Sequence, residues 1–134
     1  MYQRPCGYLL VDIDDFKNFY INYGEAKSEE FLKEVGTILR GSVIEIDKVG
    51  RLSGDKFAVI LPEKNKRQSA HVAEDIRKKI EDNIGKAIKS DNKLTVSIGV
   101  SENPIDGSTA DELMEKAERL VRNAKSLGKN RVVV

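Results

Sequence analysis

The chain is poor in the residues that build most metal and redox sites, with one cysteine and one histidine in 134 residues. The single thiol, Cys6, excludes a disulfide framework and any cysteine-built zinc site. The single imidazole, His71, excludes a histidine metal cluster and a conventional Ser-His-Asp triad. It falls on the charged side of a helix-period segment and reads as a surface histidine. No apolar run approaches the roughly 18 residues that a spanning helix needs, and Met1 to Gly7 lacks a signal-peptide layout. Membrane insertion is therefore not expected, and the composition fits the cytoplasm. Charge of one sign is not in excess either: 23 Lys and Arg against 22 Asp and Glu leave +1, without the basic surplus of a dedicated nucleic-acid binder. No glycines carry a dinucleotide fingerprint, and no glycine-rich loop ends in Gly-Lys-Ser or Gly-Lys-Thr. Asp12-Ile13-Asp14 opens like a calcium loop, but Lys17 stands where that loop needs glycine and Tyr23 where it needs glutamate.

What is present describes one soluble globular domain over residues 1–134, with 40% hydrophobic and 34% charged residues. Tyr8-Leu9-Leu10-Val11 is a continuous apolar run that stops at Asp12 and predicts a buried strand. Phe16, Phe19, Tyr20 and Tyr23 recur at helical spacing, with Gly24 as the stop. A second helix is predicted from about Ser28 to Arg40, striped by Phe31, Leu32, Val35, Ile38 and Leu39. Val49 to Leu52 and Phe57 to Leu61 flank Ser53-Gly54-Asp55 as a hairpin, and Glu63 to Arg67 reads as a charged loop. A third helix is expected from Ser69 to Ile84, a polar loop from Lys86 to Lys93, and a strand from Leu94 to Val100. The last helix opens on Thr109 and Glu112 at capping-box spacing and stops near Gly128, before a short strand at 131–134. The expected fold is α+β, βααββαβαβ, ferredoxin-like or palm-type: a mainly antiparallel sheet with its helices packed on one face.

Two acidic positions stand out. Asp12 ends the first strand, with Asp14 and Asp15 just beyond, and Asp55 sits in the hairpin turn. In this topology the first strand and the hairpin are neighbours, so the two carboxylates can meet at one sheet edge. Such a pair suits Mg²⁺ shared with phosphates. Aspartates also gather at strand ends and turns because they accept backbone N–H bonds, so spacing alone leaves a structural role open.

The order and wording of the motifs resemble one family. Asp12-Ile13-Asp14-Asp15-Phe16-Lys17 is similar to the D-x-D-x-F-K opening of GGDEF domains, the diguanylate cyclases, and Arg51-Leu52-Ser53-Gly54-Asp55-Lys56-Phe57 to their R-x-G-G-D-E-F signature. Residues 94–100 and 124–131 resemble the family's later blocks. The resemblance implies a fold that makes cyclic di-GMP from two GTP, one held per subunit of a dimer, with Mg²⁺ or Mn²⁺. It assigns Asp12, the Ile13 carbonyl and Asp55 to the metal. Lys17, Lys125 and Lys129, with the backbone N–H groups of Asp15 and Phe16, are assigned to the triphosphate. Lys129 replaces the usual arginine and loses its bidentate fork; near a helix C-terminus, Lys125 and Lys129 also suit the dipole without any ligand.

The departures lie at decisive positions. Ser53 replaces the first motif glycine, and Lys56 replaces the motif glutamate, a change of two charge units beside the metal positions. Tyr20 stands for the asparagine that reads guanine and Glu29 for an aspartate, although Tyr20 also fits the apolar stripe of its helix. Asp47 is present without the arginine three residues earlier, where Ile44 stands, so no product-inhibition site is expected. The family's upstream helix and D-x-L-T-x-L segment are missing, which implies a trimmed or minimal version. The expectation is a degenerate domain, weak or inactive as a cyclase, that binds a metal complex of GTP or another NTP. A homodimer or a protein partner fits that role. The alternatives are an active nucleotidyl cyclase with altered base choice and a structural interaction module.

Overall fold

The computed structural model describes residues 4–87 and 94–134. Its elements run β1 (Cys6–Ile13), α1 (Phe16–Gly41), β2 (Lys48–Ser53), β3 (Lys56–Pro62), α2 (Lys66–Ala87), β4 (Val96–Asn103), α3 (Ala110–Ser126) and β5 (Arg131–Val133). The strands form one sheet in the order β2-β3-β1-β4-β5. All pairings are antiparallel except β4 with β5, which is parallel and joined through α3. The α+β architecture is the one the periodicity predicts.

Strand β1 sits at the centre and is buried on both faces. Leu9, Val11 and Ile13 point into a core shared with α1 and α2, through Phe19, Phe31, Val35, Ile76 and Ile80. Tyr8 and Leu10 point the other way, against Leu113, Ala117 and Val121 of α3. The expectation of helices on one face is therefore corrected: α3 covers the opposite face. Gly99 makes that packing close, since a Cβ there would lie 2.3 Å from the Ala117 carbonyl oxygen.

Several boundaries also move. Strand β1 extends past Asp12 to Ile13, and the next-to-last strand runs from Val96 to Asn103 rather than ending at Val100. Gly24 does not end the first helix outright: it breaks the helical path at φ 84°, ψ 175°, and the chain re-enters helix at once rather than at Ser28. Helix α2 starts at Lys66, three residues before Ser69, because Asn65 and Gln68 cap each other. The Gln68 N–H donates to Asn65 Oδ1 and the Asn65 N–H to Gln68 Oε1, each at 2.9 Å. Lys86 and Ala87 are helical, and residues 88–93 of the expected loop lie outside the described residues.

The capping box on α3 is present as read. Thr109 Oγ1 accepts from the Glu112 N–H at 3.2 Å and donates to Glu112 Oε1 at 3.1 Å. The Thr109 hydroxyl, then the Ser108 N–H, hold the Glu112 carboxyl below its ordinary value. A depressed carboxylate pKa adds stability above the unfolded value, which is lost as pH falls through the folded one. Thr109→Val is expected to move the Glu112 titration, followed by NMR, back toward the ordinary range and to weaken the helix start by about 1 kcal/mol.

Candidate functional site

The site is assembled where β1 runs into α1. The backbone N–H of Ile13 donates to the Asp55 carbonyl at 2.9 Å, so the hairpin turn is tied to the end of β1. In the ladder Asp12 stands opposite Lys56 on one side and Ser97 on the other. Residues directly opposite in an antiparallel pair project to the same face, so Lys56 shares the face of Asp12. Asp12 is buried, Asp55 is half-buried, and Lys56 is exposed.

Lys125, on the last turn of α3, reaches into the same corner. Its Nζ lies 3.0 Å from Asp12 Oδ1, 3.2 Å from Asp14 Oδ1 and 3.4 Å from the Ile13 carbonyl. Burial pushes the Asp12 carboxyl above the usual carboxylate range, and Asp55 adds to this, while Lys125 and Lys56 pull against it. Burial pulls the Lys125 ammonium down, but Asp12 and Asp14 outweigh it and hold it above the ordinary lysine range. The partners thus move unequally: the ammonium is firmly charged, whereas Asp12 keeps a desolvation cost that the surrounding positive charge does not offset.

Asp14 has a different task, one that sequence reasoning missed. It is buried, and its Oδ1 accepts from Ser97 Oγ at 2.7 Å, while Oδ2 accepts from Thr95 Oγ1 at 2.7 Å and the Asn130 N–H at 3.0 Å. It ties β1, β4 and the turn before β5 to one point. The signal was there in Ser97, a hydroxyl on a strand buried along nearly its whole length, and in Thr95 just before that strand begins. Arg51 was likewise named only as a motif letter. Its guanidinium donates to the Ser53 and Gly54 carbonyls at 3.1 and 3.2 Å and reaches Glu29 at 3.5 Å, bracing the turn that carries Asp55.

The start of α1 carries no side-chain cap. Asp15, at φ 56°, turns its carboxylate to Lys129 instead. The first N–H groups of α1 therefore face outward beside Lys17, Lys129 and Lys125, the setting in which a helix start binds anions. Lys17 is exposed and Phe16 half-buried. Lys129, Asn130 and Gly128 have φ of 64°, 49° and 122°, a left-handed turn that brings both the lysine and the Asn130 N–H to the site.

Of the two positions that the resemblance assigns to the base, Tyr20 is 44% exposed, so the alternative of a core residue is corrected; the stripe buries Phe19 and only partly Phe16 and Tyr23. Glu29 lines a cleft of about 260 Å³ between α1 and the hairpin, together with Lys33, Arg40, Arg51 and Phe57. Tyr20 and Glu29 lie on opposite sides of the Gly24 break. Asp47 is consumed structurally, accepting from the Ile44 N–H at 2.9 Å and from Lys64. His71 is exposed, as expected.

Among the described residues no three acidic, histidine or cysteine side chains converge as an all-protein metal cage. The donors that do converge are hard oxygens, Asp12 Oδ1 and the Ile13 carbonyl, and they already hold a cation, the Lys125 ammonium. One or two carboxylates and a carbonyl fit a Mg²⁺ or Mn²⁺ whose remaining ligands are phosphates.

A sheet whose central strand ends in carboxylates, beside an uncapped helix start and a group of lysines, defines a palm-type α+β domain. Residues 1–131 match the family model described as diguanylate cyclase, GGDEF domain, and the chain belongs to that family. It is 36% identical over 129 residues to Diguanylate cyclase A of Treponema denticola, covering 94% of this chain and 34% of that protein. It is 34% identical over 131 residues to Response regulator PleD of Caulobacter vibrioides, covering 96% of this chain and 29% of that protein. The chain thus spans about a third of the curated relatives it matches. The active GGEEF domain of a diguanylate cyclase from Vibrio cholerae superposes with a TM-score of 0.88 at 22% identity, covering 97% and 82% of the two chains, and shares the fold. Among the described residues no helix is long and apolar enough to cross a membrane.

Proposed function

We propose that this GGDEF domain is degenerate: it binds a divalent-metal complex of GTP or another NTP and has weak or no cyclase turnover, serving in regulation. The observation that carries this reading is the pairing of Lys56 directly opposite Asp12. The family's name spells the five letters that residues 53–57 give here as Ser-Gly-Asp-Lys-Phe. An ammonium in place of the fourth letter repels the cations on which phosphoryl transfer depends.

Binding draws on what is kept. Asp12, the Ile13 carbonyl and Asp55 would hold Mg²⁺ or Mn²⁺, which when bound neutralises phosphate charge and activates the attacking hydroxyl. The N–H groups of Asp15 and Phe16, with Lys17, Lys125 and Lys129, would receive the phosphates. Glu29 and Tyr20 would flank the base. One solved relative is a diguanylate cyclase in complex with its activator SiaC, which makes a protein partner a natural role for this chain, alongside a homodimer.

The test combines each of the four NTPs with Mg²⁺ or Mn²⁺, mass analysis of products and thermal unfolding. The expected result is stabilisation, about 2.7 kcal/mol at a hundredfold excess over Kd, without dinucleotide. Cyclic dinucleotide that disappears on Asp55→Ala would establish an active cyclase instead. Neither product nor stabilisation would leave an interaction module.

A further inference from the structure

We propose that Lys125 is a tethered counter-ion that exchanges between the Asp12–Ile13 oxygens and the phosphates, so that divalent cation and nucleotide enter the site together. This rests on the reading of the site as a metal–nucleotide cradle and goes beyond it, because it assigns the lysine a role toward the cation as well as the anion.

The argument starts from donor counting. An ammonium has three N–H groups, and those of Lys125 meet three oxygens: Asp12 Oδ1, Asp14 Oδ1 and the Ile13 carbonyl, at 3.0, 3.2 and 3.4 Å. Two of these belong to the donors that would hold the metal. A dication and an ammonium on the same oxygens repel, so the metal favours the lysine's departure. The two aspartates respond differently to that departure. Asp14 keeps Thr95, Ser97 and the Asn130 N–H and remains satisfied. Asp12 is buried and has no such set among the described residues; without Lys125 its charge needs another cation in the same place. The lysine in turn needs a new anion, and its flexible stem, 30% exposed, lies on the same side as the α1 start. Cation, carboxylate, ammonium and phosphate thus exchange partners as a set. Binding of metal and nucleotide is coupled with equal strength in both directions.

Mn²⁺ binding alone, by calorimetry or by electron paramagnetic resonance of free Mn²⁺, and GTP binding at saturating Mn²⁺ are measured on wild type and Lys125→Met. Opposite signs are expected: Mn²⁺ alone binds about tenfold tighter or better in the variant, and GTP about tenfold weaker or worse. Adding Asp12→Asn to Lys125→Met should erase the Mn²⁺ gain. Should Lys125→Met fail to fold, Lys125→Gln gives the same reading, since it removes the charge and keeps a donor. Weaker GTP with unchanged Mn²⁺ in these variants would reduce Lys125 to a phosphate ligand and overturn the exchange. Weaker Mn²⁺ binding in a folded variant overturns it equally, as an organising role predicts that sign. A wild-type protein that takes up no nucleotide with any metal overturns the reading of the site, a different result from exchange failing in a protein that binds GTP.

Discussion

Replacing Asp14 by alanine is expected to cost about 3–5 kcal/mol, the range for removing one partner of a buried charge network. The carboxylate accepts from Thr95, Ser97, Lys125 and the Asn130 N–H, which come from the entry to β4, β4 itself, α3 and the turn before β5. Without it the buried Ser97 hydroxyl loses its acceptor, and the left-handed turn at Lys129 and Asn130 loses its anchor. Denaturant or thermal unfolding measures the loss, a fall in Tm of roughly 10–20 °C. Asp14→Asn should recover part of it, because its carbonyl still accepts while its amide opposes Lys125. A change under 1 kcal/mol for Asp14→Ala would show that this carboxylate does not hold the site together.

The second large effect is a gain. Lys56→Glu reverses a charge on the face of Asp12. A unit charge at 4 Å is worth about 4 kcal/mol at an effective dielectric near 20 and about 1 kcal/mol in water. Because Lys56 is exposed, the expected rise in cyclic dinucleotide formation is on the order of tenfold to several hundredfold. Ser53→Gly and Tyr20→Asn in the same chain rebuild the family's other letters, and the triple variant should exceed the single one. Product is read by mass from GTP with Mn²⁺. Silence from the triple variant would mean that the lesion is not Lys56, and the proposed cause of weak turnover would fall.

The parts legible from sequence are those set by neighbours along the chain. Thr109 and Glu112 form the expected box because a cap needs only residues three apart. The hairpin around Gly54 and the strand through Leu9 follow from local period and turn residues. The Asn65–Gln68 cap had an equally local signature, obscured by the charges of Lys64, Lys66 and Arg67 that made the segment look like loop. The side of the sheet taken by α3 is a long-range matter, yet it had a clue. Tyr8 and Leu10 are bulky and largely apolar like Leu9 and Val11, and a strand apolar on both sides needs cover on both. At the site, Asp12 and Asp55 announce themselves by strand end and turn. Asp14 does not, because its role depends on a partner 83 residues away, and Arg51 shows only as a motif letter although two of its three partners are the nearby Ser53 and Gly54 carbonyls.

The break at Gly24 divides responsibility within the domain. Tyr20 and Glu29 hang from two rods joined by one pivot, which a residue with a Cβ would find hard to occupy at φ 84°. Adjusting that joint alters how the two side chains oppose each other while leaving the acidic corner untouched. On the proposed reading, in which these two side chains flank the base, base selectivity would drift independently of the acidic corner.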